Sequence, residues 1–136
     1  LRGWMKDNYT DYQAGLPLLT TDGWALWCDN QIATSVMNFP IQANSASITR
    51  LAVVEAVKAG LRVIAPLHDA IYLVSKNPEN DRALLESIML RATEKILGEP
   101  LNSTKMRIDS KIFSSNDKFL EEKGYSAWEN LKKHFV

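Results

Sequence analysis

Two apolar runs, Leu61 to Leu67 and Ala70 to Ser75, are separated only by His68 and Asp69. Runs this short and rich in Val, Ile, Leu and Tyr read as strands rather than helices. Two residues between strands leave room only for a tight antiparallel turn. The sequence therefore places His68 and Asp69 at the tip of a β-hairpin. Pro66 cannot donate to a strand ladder, which suits the end of a strand beside a turn.

The elements around that hairpin follow from similar signals. Leu16 to Leu19 and Trp24 to Trp27 are apolar runs joined by Thr20-Thr21-Asp22-Gly23. An Asp-Gly pair between apolar runs marks a hairpin, here over residues 16–28, because the turn needs positive φ and Gly supplies it cheaply. Arg2 to Gln13 reads as the end of a helix or a loop. A long helix is expected from about Gln31 to Ala59, disturbed near its start by Pro40 and ended by Gly60 as its C′ residue. On a 3.6-residue wheel Asn44, Ser47, Glu55 and Lys58 form one polar stripe with Arg50 at its edge, and Ile48, Ala52, Val53, Ala56 and Val57 cover the rest. Such a helix is mostly buried and shows its stripe to something. Asn77-Pro78-Glu79 starts a further helix, with Asn as N-cap and Pro at N1. It runs to about Leu97 and stops at Gly98. Met106 to Phe113 alternates and reads as another strand. Two short helices close the chain, the second opened by the capping-box pattern Ser126-Ala127-Trp128-Glu129. The expected class is α+β, a single domain over residues 1–136, with an antiparallel sheet and helices mainly on one face.

Composition bounds the function classes. The chain has 136 residues, 46% hydrophobic and 24% charged, which is the balance of a folded domain rather than a disordered one. No apolar run approaches the ~20 residues that span a membrane, and LRGWMKDNYT has no apolar leader. Cys28 is the single cysteine, so no internal disulfide is possible and a cytoplasmic setting is expected. Sixteen basic and sixteen acidic residues give zero formal net charge. Free-standing nucleic-acid binders are usually basic, so phosphate contacts would fall largely to other parts of a longer chain. The first residue is Leu1, inside what reads as a helix, and a piece of a longer chain is expected.

Asp69 is the sharpest candidate for chemistry. A hairpin is a rigid mount that projects tip side chains past the sheet edge. A carboxylate held there suits Mg²⁺, which takes oxygen ligands from one or two carboxylates and from substrate phosphates. Taken alone, Asp69 reads first as a plain turn former. Asn38 and Gln42, four apart in a helical stretch, share one face. Their amides match the acceptors of the DNA minor groove, although helix capping and solvation account for them separately.

Together, and in this order, the motifs resemble the family A DNA polymerases. NFPIQANSASITRLAVVEAV is similar to that family's helix at the palm–fingers junction, usually N-x-P-x-Q-G-T-A-A-D. VIAPLHDAIYLV is similar to its motif C, a hairpin usually carrying His-Asp-Glu. The hairpin around Asp22-Gly23 resembles the strand–Gly–strand element just upstream. The resemblance covers about residues 15–113 and implies a C-terminal palm segment. By that resemblance Asp69 binds the two catalytic Mg²⁺ ions together with a motif A aspartate outside this chain. His68 contacts the primer end, and Asn38 and Gln42 reach the minor groove near the primer terminus. The implied partners are primer–template DNA, deoxynucleoside triphosphates, and the motif A and fingers parts of the polymerase. The chemistry implied is two-metal phosphoryl transfer.

The chain departs from the family pattern at four places. Ala70 stands for the usual Glu, Thr34 for a frequent Arg, and Ala43 and Ser47 for the usual Gly and Asp, which points to a divergent, phage-like branch. Neither a motif A aspartate nor a fingers helix is found, so the chain alone is expected not to polymerise. A single-subunit RNA polymerase palm, with motif C of the form His-Asp-Ser, and a non-catalytic replication module are the alternatives, ahead of a stand-alone hydrolase using His68 and Asp69, for which the sequence offers no nucleophile or phosphate loop. Among other residues, Arg50, Lys58 and Arg62 suit phosphate contacts or a solvated face. Trp4, Trp24 and Trp27 suit base stacking or packing. Asp109 reads as a solvent-side strand residue, His134 as a solvated helix end, and Glu121-Glu122-Lys123 likewise.

Overall fold

The computed structural model describes residues 2–27, 32–98, 107–114, 116 and 122–134. They form an α+β structure: α1 (Arg2–Gln13), β1 (Leu18–Leu19), β2 (Ala25–Leu26), α2 (Ala33–Lys58), β3 (Val63–Leu67), β4 (Ala70–Leu73), α3 (Pro78–Leu97) and α4 (Glu122–Lys132). The strands pair only as neighbours, β1 with β2 and β3 with β4, both antiparallel. The expected single sheet is thus two separate two-stranded hairpins.

Helix α2 organises both. Its buried positions, Val36, Pro40, Asn44, Ser47, Ala52 and Ala56, recur at helical spacing along one side. In the C-terminal half, Ala52 and Ala56 join Leu61, Ile88 and Ala92 in the core. Alanines on both helices let α2 and α3 approach closely. Val63, Ile71 and Leu73, from one face of the β3–β4 hairpin, pack against this cluster with Ile48 and Leu51. Helix α2 also packs against α1 and against the β1–β2 hairpin, where Leu18 is fully buried.

The end of α2 follows its residues closely. Gly60 has φ +85°, the left-handed conformation that glycine adopts without a Cβ penalty. The Gly60 N–H donates to the Val57 carbonyl and the Leu61 N–H to the Ala56 carbonyl, each at 3.0 Å. That is a Schellman cap, with Leu61 packed near Ala56 as its apolar contact. Pro40 lies within α2 without ending it, so the helix runs on through the proline and starts at Ala33.

Several expectations need correction. The polar stripe of α2 divides: Asn44 and Ser47 are buried, while Glu55 and Lys58 form an exposed pair at 3.0 Å. Val54 and Val57 are exposed, so the outer side of the helix is not covered. Arg107 to Ser114 forms no strand. Its alternation fits a strand only where a sheet edge receives it, and the two hairpins take no third strand among the described residues. Asp109 instead pairs with Arg107 at 2.8 Å, and the Ser110 hydroxyl donates to Glu86 of α3 at 2.7 Å. One terminal helix is seen among the described residues, and Ser126 lies inside it rather than at its cap. Asn77 is the N-cap of α3 by position but makes no side-chain cap bond. Cys28, Met106, Glu121 and the side chain of Trp4 lie outside the described residues.

Candidate functional site

The β3–β4 hairpin places its tip as its sequence dictates. Leu67 pairs with Ala70 and Pro66 with Ile71, leaving His68 and Asp69 as the turn. His68 has φ +53°, a conformation that few residues other than glycine adopt. Both tip side chains are exposed. The ladder shifts register between Val63 and Ala65, and a bulge at such a place re-aims a strand end.

A single carboxylate does not complete a metal centre. Among the described residues no three of His, Cys, Asp and Glu gather as a metal-binding group. The donor chemistry of Asp69 fits Mg²⁺, and an ion held there would take its further ligands from beyond these residues.

Asn38 and Gln42 are brought together. Both are exposed on α2 and line an open cleft of about 370 Å³ with Leu18 and Leu26 of the first hairpin and Phe39. His68 and Asp69 do not line it. The tip and the amide pair do not share this cleft; α2 carries the amides and packs against the hairpin that carries the tip.

Arg50 is not a free cation. Its Nη2 donates to the Ser47 hydroxyl at 2.8 Å and lies 4.0 Å from the Asp22 carboxylate. Its guanidinium carbon sits 5.1 Å from the centre of the Trp24 ring, within cation–π range.

The sequence reading did not anticipate the polar clamp beside Arg50. Asn44 is 2% exposed. Its Oδ1 accepts from the Thr21 N–H at 3.0 Å and the Thr21 hydroxyl at 2.6 Å, and its Nδ2 donates to the Pro40 carbonyl at 2.6 Å. The Ser47 hydroxyl donates to Asp22 at 3.0 Å, and Thr20 donates to the same carboxylate oxygen at 2.6 Å. Thr20 also accepts from the Trp24 N–H at 2.9 Å, while Gly23 turns the chain with φ +89°. The Thr20 hydroxyl, then Ser47 and Arg50, hold the Asp22 carboxyl below its ordinary range. Two sequence signals pointed here, the Asp-Gly turn and the Asn44–Ser47 stripe, without indicating that they meet.

Comparison with protein-family models, with curated proteins and with solved structures finds no match for this chain. No helix among the described residues is long and apolar enough to cross a membrane.

Proposed function

We propose that this chain is a C-terminal palm segment of a family A DNA polymerase, a cytoplasmic DNA-directed enzyme whose motif C is the hairpin carrying His68 and Asp69. The observation that carries the reading is the solvent-open Asp69 at the tip of an apolar hairpin packed on the helix that exposes Asn38 and Gln42. A buried or helical Asp69 would have ended it.

Asp69 would hold Mg²⁺ together with a carboxylate from another part of the polymerase. When bound, the metal supplies charge stabilisation at the phosphoryl oxygens and lowers the pKa of the attacking hydroxyl. The chain's own residues position and bind. The β3–β4 ladder fixes the carboxylate, His68 lies beside the primer end, and the Asn38 and Gln42 amides face minor-groove acceptors. Arg50 takes a smaller part in phosphate binding than its charge alone would imply, since Asp22 and Ser47 already engage it.

The test is Asp69→Ala in the full-length parent. Deoxynucleotide incorporation should fall on the order of 10³-fold or more, about 4 kcal/mol of lost transition-state stabilisation. An unchanged rate would mark the site as decayed, a reading that Ala70 in place of the usual Glu favours. Incorporation of ribonucleotides instead would assign the parent to the single-subunit RNA polymerases. The isolated 136-residue chain should not extend a primer.

A further inference from the structure

Helices α2 and α3 pack together through Ala52, Ala56 and Ala92. On one flank of that seam they leave an open groove of about 220 Å³. Ile88 and Ala92 are buried and form its floor with Leu51, while Glu55 of α2 and Arg91 and Lys95 of α3 stand at its rim. The motif C reading uses none of these residues.

The rim carries an imbalance of charge. Arg91 and Lys95 are four positions apart and so stand one turn from each other on the same side of α3. Like charges at this spacing work against a helix. The other cations of α2 and α3 are Arg50, Lys58 and Arg82, and each has a carboxylate. Arg50 lies 4.0 Å from Asp22, Lys58 3.0 Å from Glu55 and Arg82 2.9 Å from Glu79. Arg91 donates to the neutral Ser87 hydroxyl at 3.5 Å. Among the described residues neither Arg91 nor Lys95 belongs to an ion pair. The two cations left without a carboxylate thus line the same groove, above an apolar floor.

We propose that this groove docks an acidic amphipathic helix of a partner protein, with an apolar side chain seated on Leu51, Ile88 and Ala92 and two carboxylates, about one turn apart, paired with Arg91 and Lys95. Helices are read by grooves of this kind through apolar anchors at helical spacing. The charge of the rim selects the partner. A neutral apolar segment would cover both cations without pairing them, which costs free energy. A phosphate chain gains nothing from the apolar floor and meets Glu55. A whole small molecule needs more room, since such sites start at about 300 Å³. An acidic helix satisfies floor and rim together, and the Glu55 charge opposes it little because Lys58 already engages it. Arg91 supplies the fork that holds a carboxylate through two N–H groups.

The test is fluorescence anisotropy of a labelled peptide of about 15 residues, long enough to become helical on binding, with leucines on one face and glutamates beside them, titrated with the 136-residue chain. Saturable binding is expected at ~10–100 μM, the weak end of specific association, and should fade at ~1 M salt, where charges are screened within about 3 Å. The double variant Arg91→Glu/Lys95→Glu should weaken binding at least about tenfold. It should also bind the same peptide with lysines in place of the glutamates, a gain that an unfolded variant could not show. Lys95→Gln alone should weaken binding by a smaller factor. Asp69→Asn should leave it unchanged, so failure of the motif C reading and failure of this one are separable. Equal binding of the glutamate and lysine peptides by wild type overturns the proposal, as does undiminished binding in the double variant or no binding at ~100 μM. Displacement of the peptide by oligothymidylate at lower concentration than by unlabelled peptide would make the rim a phosphate site and also overturns it. So does self-association that the double variant loses, with no peptide bound by wild type, since the groove would then join two copies of this chain.

Discussion

His68 holds a left-handed backbone, φ +53°, with a side chain that makes that conformation cost about 1–2 kcal/mol. Strain of this kind is retained where the surroundings or the function require it. His68→Gly removes the strain but gives the unfolded chain extra freedom worth about 0.4–1 kcal/mol. Urea denaturation should therefore show a net stabilisation of roughly 0–1.6 kcal/mol, whereas the β-branched His68→Val should destabilise. Asn44 is the opposite case, a buried residue with every polar atom in use. Asn44→Ala leaves the Thr21 N–H and hydroxyl without their acceptor and should cost about 1–3 kcal/mol, with faster amide exchange at Thr21. Asp22 sets a pH dependence. The Thr20 and Ser47 hydrogen bonds and Arg50 hold its folded pKa below the ordinary aspartate value, so its stabilising contribution is present above that ordinary value and is lost as pH falls through the folded pKa. Thermal melts of wild type and Asp22→Asn should differ at neutral pH and converge in acid below about pH 4. The single-residue signals of the sequence were mostly those of turns: His68, Asp69, Gly23 and Gly60 all lie where their chemistry placed them. Asn44 was legible as polar but not as buried, because its partner stands 23 positions away in the chain.

At the scale of elements, α2, α3 and both hairpins could be read from periodicity and caps, since each is specified locally. The strand expected near residues 106–113 and the cap at Ser126 failed for one reason. Alternation and the S-x-x-E pattern are permissive, and what decides is whether a neighbouring edge or a preceding break exists. Gly60 is where local chemistry decides most clearly. Nothing lies within 4 Å of a Cβ built there, so Gly60→Ala meets no clash and the cost is backbone strain alone, about 1–2 kcal/mol in a denaturant melt. Gly60→Asn should cost less, because Asn tolerates this conformation.

Across the whole molecule the apolar surface is divided unevenly. The packed cluster around Ala52, Ala56, Leu61, Ile88 and Ala92 is small, while Ile64, Leu67 and Val74 of the second hairpin and Tyr125, Trp128 and Leu131 of α4 stay exposed. Ile88→Ala should cost about 2–5 kcal/mol, a loss comparable with the whole stability of a small domain. Thermal melting should show it as cooperative unfolding at a markedly lower temperature. The sequence made the class legible and left the placement of the amide pair relative to the motif C tip open, because that relation is fixed only through α2. The helix behaves as a shaft keyed at two points, by the Thr21–Asn44 bonds near its middle and by the alanine seam toward its C-terminal end. One residue inserted between Asn44 and Ala52 would turn the two keys out of phase by about 100°. Either the first hairpin would then be carried round with Asn38 and Gln42 to a new bearing, or one key would have to let go.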